Sequence, residues 1–219
     1  MIRITFVILL SLASVFMKAQ QSMPANKYLA LGDSYTIGES VAERDRWPNQ
    51  LVDSLRQRGI EYGKPTIIAT TGWRTDDLKR AVTAAHLKNE YGLVSLLIGV
   101  NNQYQGKPPD RYAVEFEDLL KTAIQLAGGK KENVFVVSIP DYGYTPFGKP
   151  KQSVITPAID EFNAMNKRIT QEHGVKYVNI TDISRKGLDL HDLVAPDGLH
   201  PSGKMYALWV ERILEIIAH

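Results

Sequence analysis

Five short apolar runs, separated by amphipathic stretches, are the feature that most restricts how this chain can fold. The runs are KYLAL (27–31), PTIIAT (65–70), GLVSLLIG (92–99), NVFVVSIP (133–140) and VKYVNI (175–180). Each run is continuous rather than alternating, which is typical of strands that are buried on both faces of a parallel sheet. The pattern therefore predicts an α/β fold with a five-stranded parallel sheet, right-handed crossovers and helices on both faces.

Amphipathic spacing predicts the helices between and after these strands. The predicted helices begin near Trp47, Asp76, Asp110, Thr156 and Ser202. In the fourth helix, Thr156 is predicted as the cap and Pro157 as the first helical residue, a favoured position for proline. The segment DYGYTPFGKPKQS (141–153) is rich in proline and glycine, and we predict a mobile loop there.

The first nineteen residues have the pattern of a secretory signal peptide. Arg3 is followed by an apolar run over residues 4–16, and the small residue Ala19 precedes Gln20. The run is too short to span a bilayer comfortably. We therefore expect residues 1–19 to be a signal peptide, residues 20–219 to form a single domain, and the protein to be exported, either periplasmic or secreted.

Charge and cysteine content exclude several classes of function. Of 26 basic residues, Arg3 and Lys18 fall in the predicted signal peptide, and the remaining 24 equal the 24 acidic residues. A net charge of zero and the lack of a long basic run argue against a nucleic-acid partner. The chain contains no cysteine, which excludes a cysteine nucleophile, a disulfide and a thiolate metal site.

Chemically capable residues follow the predicted strands. Ser34 comes just after the first strand, Gly72 after the second, and Asn101 after the third, while Asp197 and His200 lie between the last strand and the last helix. Because the carboxyl ends of parallel strands meet at one edge of a sheet, we expect these residues to converge there.

Together these groups could perform nucleophilic catalysis. A neutral serine is a poor nucleophile, but His200 could take the proton of Ser34 and return it to a leaving alcohol. Asp197, three residues earlier, could accept the Nδ1 proton of His200 and fix its tautomer. The backbone N–H groups of Ser34 and Gly72 and the side-chain amide of Asn101 could stabilise the oxyanion. Glycine at position 72 would also avoid crowding an approaching carbonyl.

The motifs GDSY, Gly72, GVNN and DGLH resemble the four ordered blocks of the SGNH hydrolases, also called GDSL esterases and lipases. The resemblance runs from Tyr28 to the C-terminus. It implies a flavodoxin-like α/β/α sandwich that hydrolyses esters or thioesters through Ser34, Asp197 and His200, with Gly72 and Asn101 in the oxyanion hole. It also implies that no metal or cofactor is needed.

The resemblance leaves the substrate open. Lysophospholipids, thioesters and short acyl esters all fit, and a carbohydrate acetylesterase is the alternative, so the expected partner is a small-molecule or glycan ester. Tyr35 stands where leucine is commonest in the family, which alters packing rather than chemistry. Asn102 stands where aspartate is usual, and the oxyanion role therefore remains open between Asn101 and Asn102, with the spacing from Gly99 favouring Asn101.

Two other classes of function compete with this interpretation. Asp189, His191, Asp192, Asp197 and His200 are dense enough in sequence to suggest a metal-dependent phosphoesterase. The chain nevertheless lacks a His-x-His or His-Glu-x-x-His pair and a second histidine cluster after an earlier strand. The other competitor is a non-catalytic carbohydrate-binding protein on a hydrolase scaffold, although every predicted catalytic side chain is present.

Overall fold

The computed structural model describes residues 26–217, so the predicted signal peptide at residues 1–19 lies outside the described residues. Within this range, strands and helices alternate along the chain. The strands are β1 (Tyr28–Gly32), β2 (Thr66–Ala69), β3 (Leu93–Leu97), β4 (Val134–Val137) and β5 (Lys176–Val178). The α-helices are α1 (Ser34–Ile37), α2 (Trp47–Gln57), α3 (Thr75–Ala84), α4 (Val100–Tyr104), α5 (Pro109–Leu126), α6 (Gln152–Glu172), α7 (Thr181–Ser184) and α8 (Gly203–Ile217).

The five strands form one sheet in the order β2-β1-β3-β4-β5, and every neighbouring pair is parallel. This arrangement confirms the predicted sheet. All residues of β1, β3 and β4 are buried, whereas the edge strands β2 and β5 are buried only in part. The chain leaves β1 toward one edge of the sheet and β3 toward the other, so the crevice between these two strand ends is the topological switch point where ligands bind in such sheets.

Helices cover the sheet and complete a three-layer α/β/α sandwich. Helices α2 and α8 pack against each other, while α5 packs against both α3 and α6. Their buried faces are apolar, as the amphipathic spacing predicts. No helix within residues 26–217 is both long enough and apolar enough to cross a membrane.

Aromatic side chains connect the last helix to the end of β1. Trp209 on α8 is fully buried, and its ring centroid lies 5.0 Å from that of Tyr206 and 6.5 Å from that of Tyr35. Aromatic pairs of this kind each contribute about 0.5–1.5 kcal/mol beyond their burial. The core therefore extends directly to the residue that follows Ser34.

The start of α6 differs from the prediction. The helix begins at Gln152, and Pro157 lies inside it rather than at its first position. A short 3-10 helix, Lys149–Lys151, leads straight into α6 and supplies the earlier start. The hydroxyl of Thr156 donates to Asp141 Oδ2 at 2.8 Å, so a contact with a distant segment replaces the predicted cap.

The segment 141–153, predicted as a loop, contains two 3-10 helices. Asp141 is fully buried and holds the segment in place. Its Oδ1 accepts the Gly143 N–H at 2.9 Å, and its Oδ2 accepts Arg185 Nε at 3.0 Å in addition to the Thr156 hydroxyl. The hydrogen bonds to the buried Asp141 side chain therefore fix the backbone of segment 141–153, whose proline- and glycine-rich composition alone does not specify a structure.

Candidate active site

Ser34 is the first residue of α1 and directly follows the corner at the end of β1. The corner needs glycine at position 32, because a Cβ atom there would lie 2.1 Å from Thr36 Oγ1 and 2.5 Å from the Leu97 carbonyl oxygen. Asp33 caps the helix, since its Oδ1 accepts the Tyr35 N–H at 3.0 Å. The N–H of Ser34, as the first of the helix, has no acceptor within the helix and can serve a ligand.

Asp33 has an unusual environment for a carboxyl group. It is fully buried, and its Oδ2 has no hydrogen-bond partner among the described residues. Burial raises the pKa of Asp33 to about 7, an effect only partly offset by the hydrogen bond from the Tyr35 backbone. The carboxyl beneath Ser34 is therefore largely protonated below neutral pH and contributes little negative charge there.

The DGLH segment holds a histidine against a carboxylate. His200 Nδ1 lies 2.6 Å from Asp197 Oδ2, and the N–H groups of Leu199 and His200 each donate to Asp197 Oδ1 at 2.9 Å. Burial alone raises the pKa of Asp197, but hydrogen bonds from Ser40, His200 and the two backbone amides outweigh it and hold the pKa well below its usual range. Because an ionised carboxylate only accepts, His200 Nδ1 must be the donor, and in the neutral ring Nε2 is then the acceptor.

Gly72 and Asn101 lie at the ends of β2 and β3. Gly72 has φ +83°, and a Cβ atom at this position would meet no protein atom within 4 Å. Glycine is thus required by the backbone conformation, and the site faces open space. The Asn101 side chain donates from Nδ2 to the Trp73 carbonyl oxygen at 2.9 Å, which fixes the amide and leaves the second Nδ2 hydrogen for another acceptor.

Asn102 has a different role from its neighbour. It is buried, its Oδ1 accepts the Thr75 N–H at 3.1 Å, and its Nδ2 donates to Thr75 Oγ1 at 2.7 Å. These bonds connect α4 to the first residue of α3. Asn101 therefore faces the crevice, whereas the side chain of Asn102 is bonded to Thr75.

The predicted residues surround one cavity of about 180 Å³. Ser34, Gly72, Asn101 and His200 all line it, and Asp197 contacts the cavity only through the ring of His200. His200 is only 8% exposed, so a bound ester would meet an imidazole that is largely shielded from water. The convergence expected at the carboxyl edge of the sheet is therefore present.

Three aromatic residues that the sequence places near the expected active edge, without deciding between a ligand contact and simple packing, form one wall of the cavity. Tyr104, Tyr142 and Phe147 have ring centroids 6.1–6.5 Å apart. Tyr35 packs its ring 5.5 Å from the imidazole of His200, which agrees with a packing role for this departure from leucine. Only the loop positions of these aromatics signal them in sequence.

The suggested metal site does not form. Among residues 26–217, no group of three or more histidine, aspartate or glutamate side chains is arranged to hold a metal ion. Asp192 instead forms an ion pair with Lys204, and Asp197 binds His200. The sequence density of these residues reflects a turn between the last strand and α8, so it does not support the metal-dependent phosphoesterase.

The raised pKa of Asp33 generates a prediction about stability. Between the ordinary carboxyl pKa and about 7, the unfolded chain loses the Asp33 proton while the folded protein keeps it, so stability falls as pH rises through this window. Asp33→Asn keeps the cap and removes the titration. The unfolding free energy of Asp33→Asn minus that of wild type should therefore become more positive between about pH 4 and about pH 8, by no more than about 4 kcal/mol.

Urea unfolding of both proteins across this range measures the effect. Asp189→Asn, at an exposed carboxylate, serves as the control and should show no such increase. A constant difference between wild type and Asp33→Asn would contradict the account of Asp33.

Comparison with known proteins agrees with this arrangement. No curated protein matches the chain, but a model of the GDSL-like lipase/acylhydrolase family matches residues 30–208. Solved structures share the fold at low identity. The acetylxylan esterase Axe2 from Geobacillus stearothermophilus is 18% identical with a TM-score of 0.69, covering 89% of this chain and 94% of its own.

Two further structures show the same likeness. A lipolytic G-D-S-L protein from Veillonella parvula is 18% identical with a TM-score of 0.68, over 89% of this chain and 100% of its own. The psychrotrophic esterase EstA from Pseudoalteromonas sp. is 19% identical with a TM-score of 0.63, over 88% and 97% respectively. Because the family model spans the chain from the first strand into the last helix, the protein belongs to the GDSL-like lipase/acylhydrolase family of ester-hydrolysing enzymes.

Proposed function

We propose that the protein is an exported serine ester hydrolase that acts through an acyl-Ser34 intermediate. The observation that carries the proposal is the single cavity lined by Ser34, His200, Gly72 and Asn101, with Asp197 bound behind the imidazole.

The proposed reaction has two halves. Ser34 Oγ attacks the ester carbonyl carbon while His200 Nε2 takes its proton, and the imidazolium then gives this proton to the departing alcohol. Water, deprotonated in turn by His200, hydrolyses the acyl-serine and regenerates Ser34. In both halves the tetrahedral oxyanion accepts hydrogen bonds from the N–H groups of Ser34 and Gly72 and from Asn101 Nδ2. The reaction requires no metal or cofactor.

The size of the cavity favours short acyl groups. An apolar cavity of about 150 Å³ holds one benzene molecule, so a cavity of about 180 Å³ has room for an acyl group of similar size. A long fatty acyl chain would extend into solvent and leave most of its apolar surface exposed. Among the acyl esters considered, short acyl esters are therefore preferred over lysophospholipids.

A second candidate, a carbohydrate acetylesterase, is favoured by the aromatic wall. Tyr104 and Phe147 line the cavity yet remain 60% and 52% exposed, respectively. Such rings present flat apolar faces to a ligand. A pyranose could pack its C–H face on them while its acetyl group enters the cavity. One structural neighbour, Axe2, is described as an acetylxylan esterase.

Export is part of the proposal and depends on the N-terminal sequence alone. Arg3, the apolar run over residues 4–16 and Ala19 support a cleaved signal peptide. The chain contains no cysteine, so an exported protein must be stabilised by its core and not by disulfides.

Replacement of the nucleophile tests the proposed reaction. Ser34→Ala should abolish turnover of p-nitrophenyl acetate and covalent labelling by a fluorophosphonate, because the variant lacks the hydroxyl that forms the proposed acyl-enzyme. Intact-protein mass spectrometry measures the labelling. Ser153→Ala, at an exposed serine outside the cavity, should behave like wild type. Undiminished turnover by Ser34→Ala would refute the proposal.

A substrate panel tests the two candidates against each other. We expect kcat/KM for p-nitrophenyl esters to peak at short acyl chains and to fall sharply for palmitate, because the cavity holds only a short chain. If acetylated sugars are the substrates, Tyr104→Ala should raise KM much more for acetylated xylooligosaccharides than for p-nitrophenyl acetate. A preference for palmitate, or for lysophosphatidylcholine, would contradict the inference from cavity size.

A further inference from the structure

The carboxylate of Asp197 has a partner that no motif of the sequence indicates. The hydroxyl of Ser40 donates to Asp197 Oδ2 at 2.6 Å, across 157 positions of sequence. The same oxygen accepts His200 Nδ1 at 2.6 Å, while Oδ1 accepts two backbone amides. Ser40 thus supplies the only side-chain hydrogen bond, other than that of His200, to this carboxylate within residues 26–217.

The backbone of Ser40 has an unfavourable conformation. Its φ is +64°, and among the described residues only Ser40 and His86 combine a side chain with a positive φ. This conformation brings Cβ close to the carbonyl oxygen and is normally left to glycine. A residue that keeps a side chain in such a position is a candidate for function, because glycine would be the more stable choice.

The loop that carries Ser40 connects the three parts of the site. The Glu39 N–H donates to the Ser34 carbonyl oxygen at 3.0 Å, which joins the loop to the nucleophile helix. The carboxylate of Glu39 accepts the hydroxyl of Thr71, the residue before Gly72. Ser40 completes the connections through Asp197. The loop therefore contacts the backbone of Ser34, the residue before Gly72 and the Asp197 carboxylate at once.

We propose that Ser40 is a positioning residue that holds the Asp197 carboxylate in the orientation that His200 requires. The two backbone donors hold Oδ1 but leave Oδ2 free to accept from water at this partly exposed position. A hydroxyl fixed by its own backbone holds Oδ2 in line with Nδ1, whereas a mobile water would not. The inference rests on the proposed function, because it assigns Ser40 a role only if His200 acts as the base.

Ser40→Gly is the decisive variant, because it removes the hydroxyl and adopts a positive φ without strain. We expect kcat for p-nitrophenyl acetate to fall about tenfold, with KM unchanged, since one charge-assisted hydrogen bond is lost. The thermal midpoint should stay the same or rise. In proton NMR, the downfield resonance of His200 Nδ1–H, assigned by its loss in Asp197→Asn, should shift in the variant.

Two further variants make the result interpretable. Ser40→Ala keeps Cβ and removes only the hydroxyl, so it should lose kcat as Ser40→Gly does. His86→Gly relieves the other positive φ outside the cavity and should retain wild-type kcat. Wild-type kcat and an unshifted resonance in Ser40→Gly would overturn the proposal, as would a loss of kcat that merely follows a fall in the thermal midpoint.

The NMR measurement separates this inference from the proposed function. If Ser34→Ala retained turnover, the assigned reaction would fail, yet the resonance would still report whether Ser40 orders the Asp197–His200 pair. If Ser34→Ala is inactive and Ser40→Gly is unchanged in both kcat and resonance, the proposed function stands and only the role of Ser40 fails.

Discussion

The parallel direction of all five strands is the constraint on which the rest of the structure depends. It places the carboxyl ends of all five strands at one edge of the sheet. The strand order β2-β1-β3-β4-β5 then opens a crevice between the ends of β1 and β3. Ser34 follows β1 and Asn101 follows β3, so the proposed nucleophile and a proposed oxyanion donor flank this crevice directly. The backbone hydrogen bonds between the strands thus bring together the groups that act in the proposed reaction.

Contacts within the loops then fix the exact positions of the site residues that the sheet brings together. The corner at Gly32 is possible only without a side chain, because Thr36 and the Leu97 carbonyl fill the space beside it. Asp197 accepts hydrogen bonds from its own turn and from the loop after α1, which connects an early and a late segment of the chain at the site. Each donor favours the ionised form of the carboxylate, and an ionised carboxylate is the form that can stabilise an imidazolium.

Much of this arrangement could be predicted from the sequence. Strands buried on both faces leave continuous apolar runs. Four of the five strands lie within their predicted runs, and β1 extends one residue beyond its run, to Gly32. The residues after those runs could be ranked because the direction of a parallel sheet fixes which ends meet. The choice between Asn101 and Asn102 stays open in this way, although the spacing from Gly99 favours Asn101. They are chemically identical, and only the contacts of Asn102 with Thr75 distinguish them.

Other features depend on contacts that no local pattern records. The pair Thr156-Pro157 has the composition of a helix start, but a 3-10 turn leads into α6 before it and Asp141 binds the Thr156 hydroxyl. Ser40 belongs to no recognisable motif, because its partner is 157 residues away and its strained backbone appears only in three dimensions. The aromatic wall likewise forms only when residues 104, 142 and 147 are brought together.

A crystal structure of the protein after reaction with a phosphonate ester tests the central claim most directly, because the tetrahedral phosphorus mimics the oxyanion intermediate. We expect phosphorus on Ser34 Oγ, with one phosphonyl oxygen accepting from the N–H groups of Ser34 and Gly72 and from Asn101 Nδ2. Attachment to another residue would contradict the account. A phosphonyl oxygen that turns away from these donors, or that binds Asn102 instead, would contradict it equally.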